Sequence, residues 1–297
     1  MGKGVKEMAK SPAHRFGQII GDLLEKTLIR YCKPTAIKHG MYLDYKHCRP
    51  ARNNQNEVRW QDINGNTHKL DIVIEAGGTE EVMGKPRAFI EIAWRRYTKH
   101  AKNKTQEISA AIKPLVLRYN DSSPFYGVVL AGEFTKNSLE QIQSEVFKLL
   151  FFSTIEIEKA FASEGINAHW EENTPDEELL NRVKQAEALS AQQLEKIGDY
   201  LMSNKTEQWV SFVNSLKNAL CRTLLSIHIT SLYGDSKEFT SIKDACDYIN
   251  LETSPITFTQ EAFQKYEIVI KFSNGDRIEM QFKEKQTALL SLAGFSS

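Results

Sequence analysis

Two acidic residues stand where apolar ones are expected. Asp71 lies within Leu70-Asp71-Ile72-Val73-Ile74, and Glu91 within Phe89-Ile90-Glu91-Ile92-Ala93. A carboxylate in the middle of a buried strand is costly unless it is paired or bound to a cation. Two of them on neighbouring strands can share one divalent ion with a few waters, the usual arrangement around Mg²⁺. Such an ion lowers the pKa of an attacking water and offsets charge building on a scissile phosphate. The plainer alternative is that each acid pairs with a nearby Arg or Lys as a structural bridge. A lone strand acid suits that alternative; two together, followed at once by a basic helix, suit the ion.

The elements that must position these acids follow from hydrophobic period. Residues 13–32 are predicted to form an amphipathic helix, with Phe16, Ile19, Ile20, Leu23, Leu24, Leu28 and Tyr31 as one stripe. Gly17 and Gly21 lie a turn apart beside that stripe, and Glu25 continues their line toward the seam. From 57 to 94 the period changes to strands. Segment 58–61 and segment 68–75 are predicted as a hairpin closed by Asn64-Gly65, a strong short turn signal. Segment 87–94 is a central strand, followed by a helix over 98–119 in which Pro114 should make a kink or an early end. Another buried strand over 125–132, a helix over 139–146, a strand over 147–152 and a helix over 156–162 complete a mixed sheet flanked by helices, an α/β sandwich.

That order, with Asp on a hairpin and Glu on the next strand ahead of a helix, resembles the PD-(D/E)xK nuclease superfamily, and within it the type II restriction endonucleases. The resemblance covers about residues 13–170 and rests on Asp71 and Glu91 as quoted above. It implies a restriction-endonuclease-like core and Mg²⁺-dependent hydrolysis of double-stranded DNA to 5′-phosphate ends, with Asp71 and Glu91 holding the metal. An acid on the first helix that faces the metal is a recurrent feature of the superfamily, and Glu25 fits it as a third metal candidate, with a surface acid as the alternative. The Lys expected two residues after Glu91 is replaced by Ala93. The following helix offers Lys104 first and Lys102 next as the catalytic amine, with Arg95 as a further substitute because alternation puts 91, 93 and 95 on one face. Cutting both strands implies a homodimer, and a restriction role implies a cognate DNA methyltransferase in the same system. Two rival readings accompany it: a non-cleaving DNA-binding module on a nuclease fold, and a structure-selective repair or junction nuclease.

The charge distribution fits a polyanion partner. Of 38 Lys+Arg and 38 Asp+Glu, residues 1–120 hold 22 and 12, so the zero net charge conceals a basic first part and an acidic remainder. Within 85–118 nine basic residues face only two acids. Arg95, Arg96, Lys99 and Gln106 are candidate phosphate contacts, which supply affinity and salt dependence but read no bases. Trp94 is a candidate for base stacking or for ordinary core packing. Cys32, His39, His47 and Cys48 have no zinc-finger spacing, Gly77-Gly78 lacks the features of a phosphate loop, and no Gly-x-Ser-x-Gly nucleophile motif is present.

Composition excludes several classes. With 41% hydrophobic and 26% charged residues the chain is an ordinary globular one, not disordered or fibrous. No stretch of about 18 apolar residues exists, and the N-terminus lacks the apolar core of a signal peptide. Four cysteines without CxxC spacing suggest free thiols, so a cytoplasmic protein without a membrane partner is expected. Thr174-Pro175-Asp176 reads as a helix start. The chain should then divide into a nuclease-like domain over 1–175 and a mostly helical lobe over 176–297. The lobe's predicted helices cover 176–188, 191–202, 205–229 and 241–249, with a hairpin over 266–282.

Overall fold

The first helix, α1 (Pro12–Lys38), starts where Ser11 Oγ accepts from the backbone N–H of His14, and it buries Phe16, Ile20, Leu23, Leu24 and Leu28 as the stripe requires. The computed structural model describes residues 11–119, 122, 124–145, 147–231, 236–251 and 265–295, without the side chains of 98–102 and 116. After α1 comes β1 (Met41–Tyr45), which the sequence pattern did not announce. Then follow β2 (Val58–Gln61), β3 (Thr67–Leu70), β4 (Ile72–Ala76), β5 (Lys85–Arg95), α2 (Thr98–Arg118), β6 (Phe125–Gly132), α3 (Lys136–Ser144), β7 (Lys148–Ser153) and α4 (Thr154–Ala162).

The expected strand over 68–75 is two strands. Its first half, β3, pairs only with β2; its second half, β4, leaves that hairpin and enters the main sheet, and the chain turns at Asp71. The main sheet runs β1-β4-β5-β6-β7, with β1, β4 and β5 antiparallel and β5, β6 and β7 parallel. It is the mixed sheet flanked by helices that the periodicity implied. Successive residues alternate between its faces. Ile72, Ile74 and Ile90 join α1 in one core, while Val73 and Phe89 join Ile108, Ile112 and Leu115 of α2 in another. Pro114 does not end α2, which continues to Arg118.

The remaining elements are α5 (Asp176–Glu187), α6 (Ala191–Ser203), α7 (Thr206–Leu220), β8 (Leu224–Thr230), β9 (Ser236–Phe239), α8 (Ile242–Leu251), β10 (Tyr266–Phe272), β11 (Arg277–Phe282) and α9 (Lys285–Ala293). Helix α5 begins one residue later than the Thr174 cap would place it: Pro175 is the N-cap, and Thr174 Oγ1 instead accepts from Glu171 N–H. The helix expected over 205–229 ends at Leu220, and 224–230 is a strand in which Ile227 and Ile229 are buried while Leu225 is exposed. Leu224 satisfies either period, which is why the helical stripe seemed to continue through it.

The expected boundary at 175/176 falls inside one core. Leu179 and Val183 of α5, Ile197 and Leu201 of α6, and Phe212 and Leu216 of α7 all pack with α1 and the main sheet. A separate core begins at β8, where a four-stranded antiparallel sheet, β11-β10-β8-β9, carries α8 and α9 through Ile229, Ile268, Ile270, Ile249 and Leu292. That lobe is thus a sheet with two helices rather than mostly helical. Among the described residues no helix is long and apolar enough to cross a membrane.

Candidate active site

Asp71 and Glu91 meet at one end of the main sheet. Antiparallel pairing sets Ile72 against Ile90, so one step further along the same register sets Asp71 against Glu91. Both then take the face of Val73 and Phe89, the face that α2 covers. The contact is anchored by the backbone: Ile92 N–H donates to Asp71 Oδ2 at 2.7 Å. This bond forms where the β4 ladder stops, so the carboxylate takes the place of a ladder partner.

Electrostatically the pair is under stress. Burial pushes the Glu91 carboxyl well above its ordinary range, and the neighbouring Asp71 charge pushes it further. Burial also raises Asp71, opposed by the Ile92 N–H, Lys104 and Lys46. Glu91 Oε1 is buried and has no hydrogen-bond partner among the described residues. Two like charges, one with an orphaned oxygen, form a donor set that a divalent cation would satisfy. No group of three or more His, Cys, Asp or Glu is gathered closely enough for a metal among the described residues, so an ion here would lean on two carboxylates and water.

Lys104 stands near the pair for a reason visible in its helix. Residues 104, 108, 112 and 115 form one stripe of α2, and Ile108, Ile112 and Leu115 are buried against the sheet. Lys104 is the polar start of that stripe, with its side chain only 22% exposed and its charge felt by both Asp71 and Glu91. Its ammonium also lies 3.8 Å from Glu107. Glu25 approaches from α1. Burial, Asp71 and Asp22 push its carboxyl up to about 7, against the pull of Lys46.

Lys46 was not expected. It follows β1, whose pairing sets Tyr45 against Ile72; one step further, 46 stands against Asp71, making a row of Lys46, Asp71 and Glu91 across three strands. Its ammonium pulls on both Asp71 and Glu25. The signal that would have revealed it was β1 itself.

The other candidates separate. Arg95 is half-buried beside Lys104 in a common cavity, and donates to Trp94 O at 2.8 Å. Arg96 is held by Trp170 O and by Glu158 at 3.3 Å, with its guanidinium over the Trp170 ring, so the structure gives it a packing role. Gln106 is exposed, two residues off the inward stripe. The side chains of Lys99 and Lys102 lie outside the described residues. Other members of the basic stretch are also engaged internally: Arg87 donates to Ala219 O and Arg118 to Asp62 O.

A second ionic cluster, also unexpected, braces the edge of the sheet. Arg49, fully buried, grips Glu75 with two bonds of 2.7 and 3.0 Å and reaches Asp44 at 2.8 Å, while Arg52 takes the same Asp44 oxygen at 2.6 Å. Further bonds from Arg49 to Thr79 O and Val82 O, and from Gly84 N–H to Glu75, tie the loop after β4 to the cluster. Two guanidiniums are bonded to two carboxylates here. Among the described residues, by contrast, no Arg or Lys forms an ion pair with Asp71 or Glu91; Asp71 feels Lys104 and Lys46, and Glu91 feels Lys104, only as nearby charges. Comparison of the chain with protein-family models, with curated proteins and with solved structures returns no match.

Proposed function

We propose that the protein is a Mg²⁺-dependent endonuclease that hydrolyses phosphodiester bonds in double-stranded DNA, with a restriction-endonuclease-like core built on α1, β1, β4, β5, α2 and β6. The observation that carries this reading is the half-buried Asp71–Glu91 pair with its buried, orphaned Oε1, near Lys104 from the inward stripe of α2. Asp71 and Glu91 would hold the ion, which when bound supplies Lewis-acid stabilisation and a more acidic water. Lys104 stands where an ammonium can offset charge on the phosphate oxygens and orient the nucleophile. Glu25, titrating at about 7, is suited to take up a proton on its carboxylate at neutral pH. Lys46 brings a second positive charge from the opposite side of Asp71.

A restriction role would add a twofold dimer, one site per strand, and a partner methyltransferase. The test is supercoiled plasmid incubated with Mg²⁺ and wild type, Asp71→Ala, Glu91→Ala or Lys104→Ala. Nicking and linearisation by wild type, lost by at least about a hundredfold in each variant, is the expected result. Equal activity in wild type and variants refutes the assignment. Ala93 at the position where the superfamily pattern carries Lys favours one other reading, a DNA-binding module without cleavage. That reading predicts salt-sensitive binding, no nicking, and weaker affinity alone from Lys104→Ala.

A further inference from the structure

Beside the acid pair, between the first half of α1 and the outgoing end of β5, lies a cavity of about 420 Å³. Its helix wall is Ala13, His14, Gly17, Gln18 and Gly21. Along the line of Ala13, Gly17 and Gly21, one turn apart, α1 projects nothing larger than a methyl group, with His14 and Gln18 beside that line. A Cβ at Gly17 would touch the Trp94 ring at 3.4 Å, whereas one at Gly21 would meet nothing within 4 Å. Trp94 supplies an aromatic surface on the strand side, Gln18 an amide, and Arg95 and Lys104 positive charge. The acids themselves do not line the cavity, but Ile92, whose N–H holds Asp71, and Lys104, whose charge both acids feel, do, so the cavity adjoins the acid pair.

We propose that this cavity receives the single nucleoside next to the scissile phosphate, unstacked from its neighbours. The inference rests on the phosphodiesterase reading and adds to it how the substrate is seated. The volume is near the lower end of small-molecule sites, about 300–1,000 Å³, which suits one base with its sugar and not a stacked run. The indole closes the cavity at Gly17, so a base would enter where the helix is open at Gly21. Trp94 is then an aromatic wall, the Gln18 amide is within reach of a base edge, and Arg95 and Lys104 are positive charge for the phosphates. Extrusion of a base is easiest when it is mismatched, damaged or single-stranded. Cleavage should therefore speed up when the base flanking the cut is mismatched.

Gly21→Leu tests this. Leu is a better helix former than Gly and its Cβ meets open space, so a melting temperature at or above that of wild type is the check on folding. Once sequencing of wild-type product ends locates the cut, 2-aminopurine is placed beside it in a duplex bound by Asp71→Asn protein. The expected result is a fluorescence rise on binding that the Asp71→Asn/Gly21→Leu double variant lacks. In parallel, Gly21→Leu alone should lose about 10–200-fold in kcat/KM, as pocket contacts typically do, and a flanking mismatch should raise the wild-type rate. Cleavage by wild type with no fluorescence rise, or with equal kcat/KM for Gly21→Leu, overturns the nucleoside site and leaves the nuclease reading standing. A wild type that neither binds nor cuts DNA overturns both.

Discussion

Replacing Glu91 by Gln should make the metal-free protein more stable while abolishing the proposed cleavage. The Glu91 carboxyl is held well above the usual carboxylate range by burial and by the Asp71 charge, and its Oε1 has no partner among the described residues. An unsatisfied buried polar atom costs about 1–3 kcal/mol, and Gln, of the same shape, removes the charge and adds N–H groups that Asp71 can accept. The expected gain is about 1–3 kcal/mol at pH 8, or about 2–10 °C in the transition that melts the main sheet. Between the ordinary carboxyl value and the raised one, the folded state binds more protons than the unfolded chain. Wild-type stability therefore falls as pH climbs through that window, and the Gln variant escapes the loss. The gap between the two narrows to little by pH ~4 and closes by pH ~3, where the carboxyl is protonated in both states. Mg²⁺ at about a hundred times its Kd should return about 2.7 kcal/mol to wild type and little to Glu91→Gln. Thermal melts in a chelator at pH 4 and pH 8, then with Mg²⁺, read all three. A Gln variant that melts below wild type at pH 8, or an offset that does not change with pH, refutes the argument.

Arg49→Met should cost about 3–5 kcal/mol in denaturant unfolding, because it leaves the buried Asp44 and Glu75 short of charge. Glu25→Gln should flatten the acidic limb of the cleavage pH profile: wild type loses ionised Glu25 as pH falls through about 7, and the variant has nothing to lose. A limb that persists in the variant assigns it to another group. Ile268→Ala, fully buried in the C-terminal sheet, should cost about 2–5 kcal/mol. That loss should appear in hydrogen exchange of β8, β10 and β11 and leave β5 and β6 protected.

Much of the first unit was legible because its elements carry unmixed signals. α1 and α2 show clean helical stripes, and β5 and β6 are apolar runs in which a single acid stands out. Strand β1 was not legible: Asp44 and Tyr42 break its alternation, and their partners Arg49, Arg52 and Glu80 come from loops whose proximity no linear pattern records. The loss of β1 carried Lys46 with it. The division of 68–75 was hidden because Asp71 looks like a strand interior until Leu70 and Ile72 prove to belong to different sheets. The nine basic residues of 85–118 illustrate a separate limit. A count of charges does not reveal that Arg87, Arg96 and Arg118 are committed to carbonyls of Ala219, Trp170 and Asp62.

The departure at Ala93 has its own physical logic. Residue 93 sits on the same face as Glu91, 4% exposed, in the core with Phe89, Ile108 and Leu130. A lysine there would have to run its stem between α2 and the sheet, displacing packed side chains. Lys104 lies one turn before Ile108 on the helix that packs over this face, so its ammonium can approach the same acids while its backbone stays outside the core. Ala93 and Lys104 thus form a complementary pair of choices: the small residue lets α2 settle on the sheet, and the settled helix delivers the amine. Restoring the motif by Ala93→Lys in a Lys104→Ala background should fail to recover cleavage and should destabilise the protein by about 1–3 kcal/mol. Full recovery would show that the amine's route to the acid pair is unconstrained by this core.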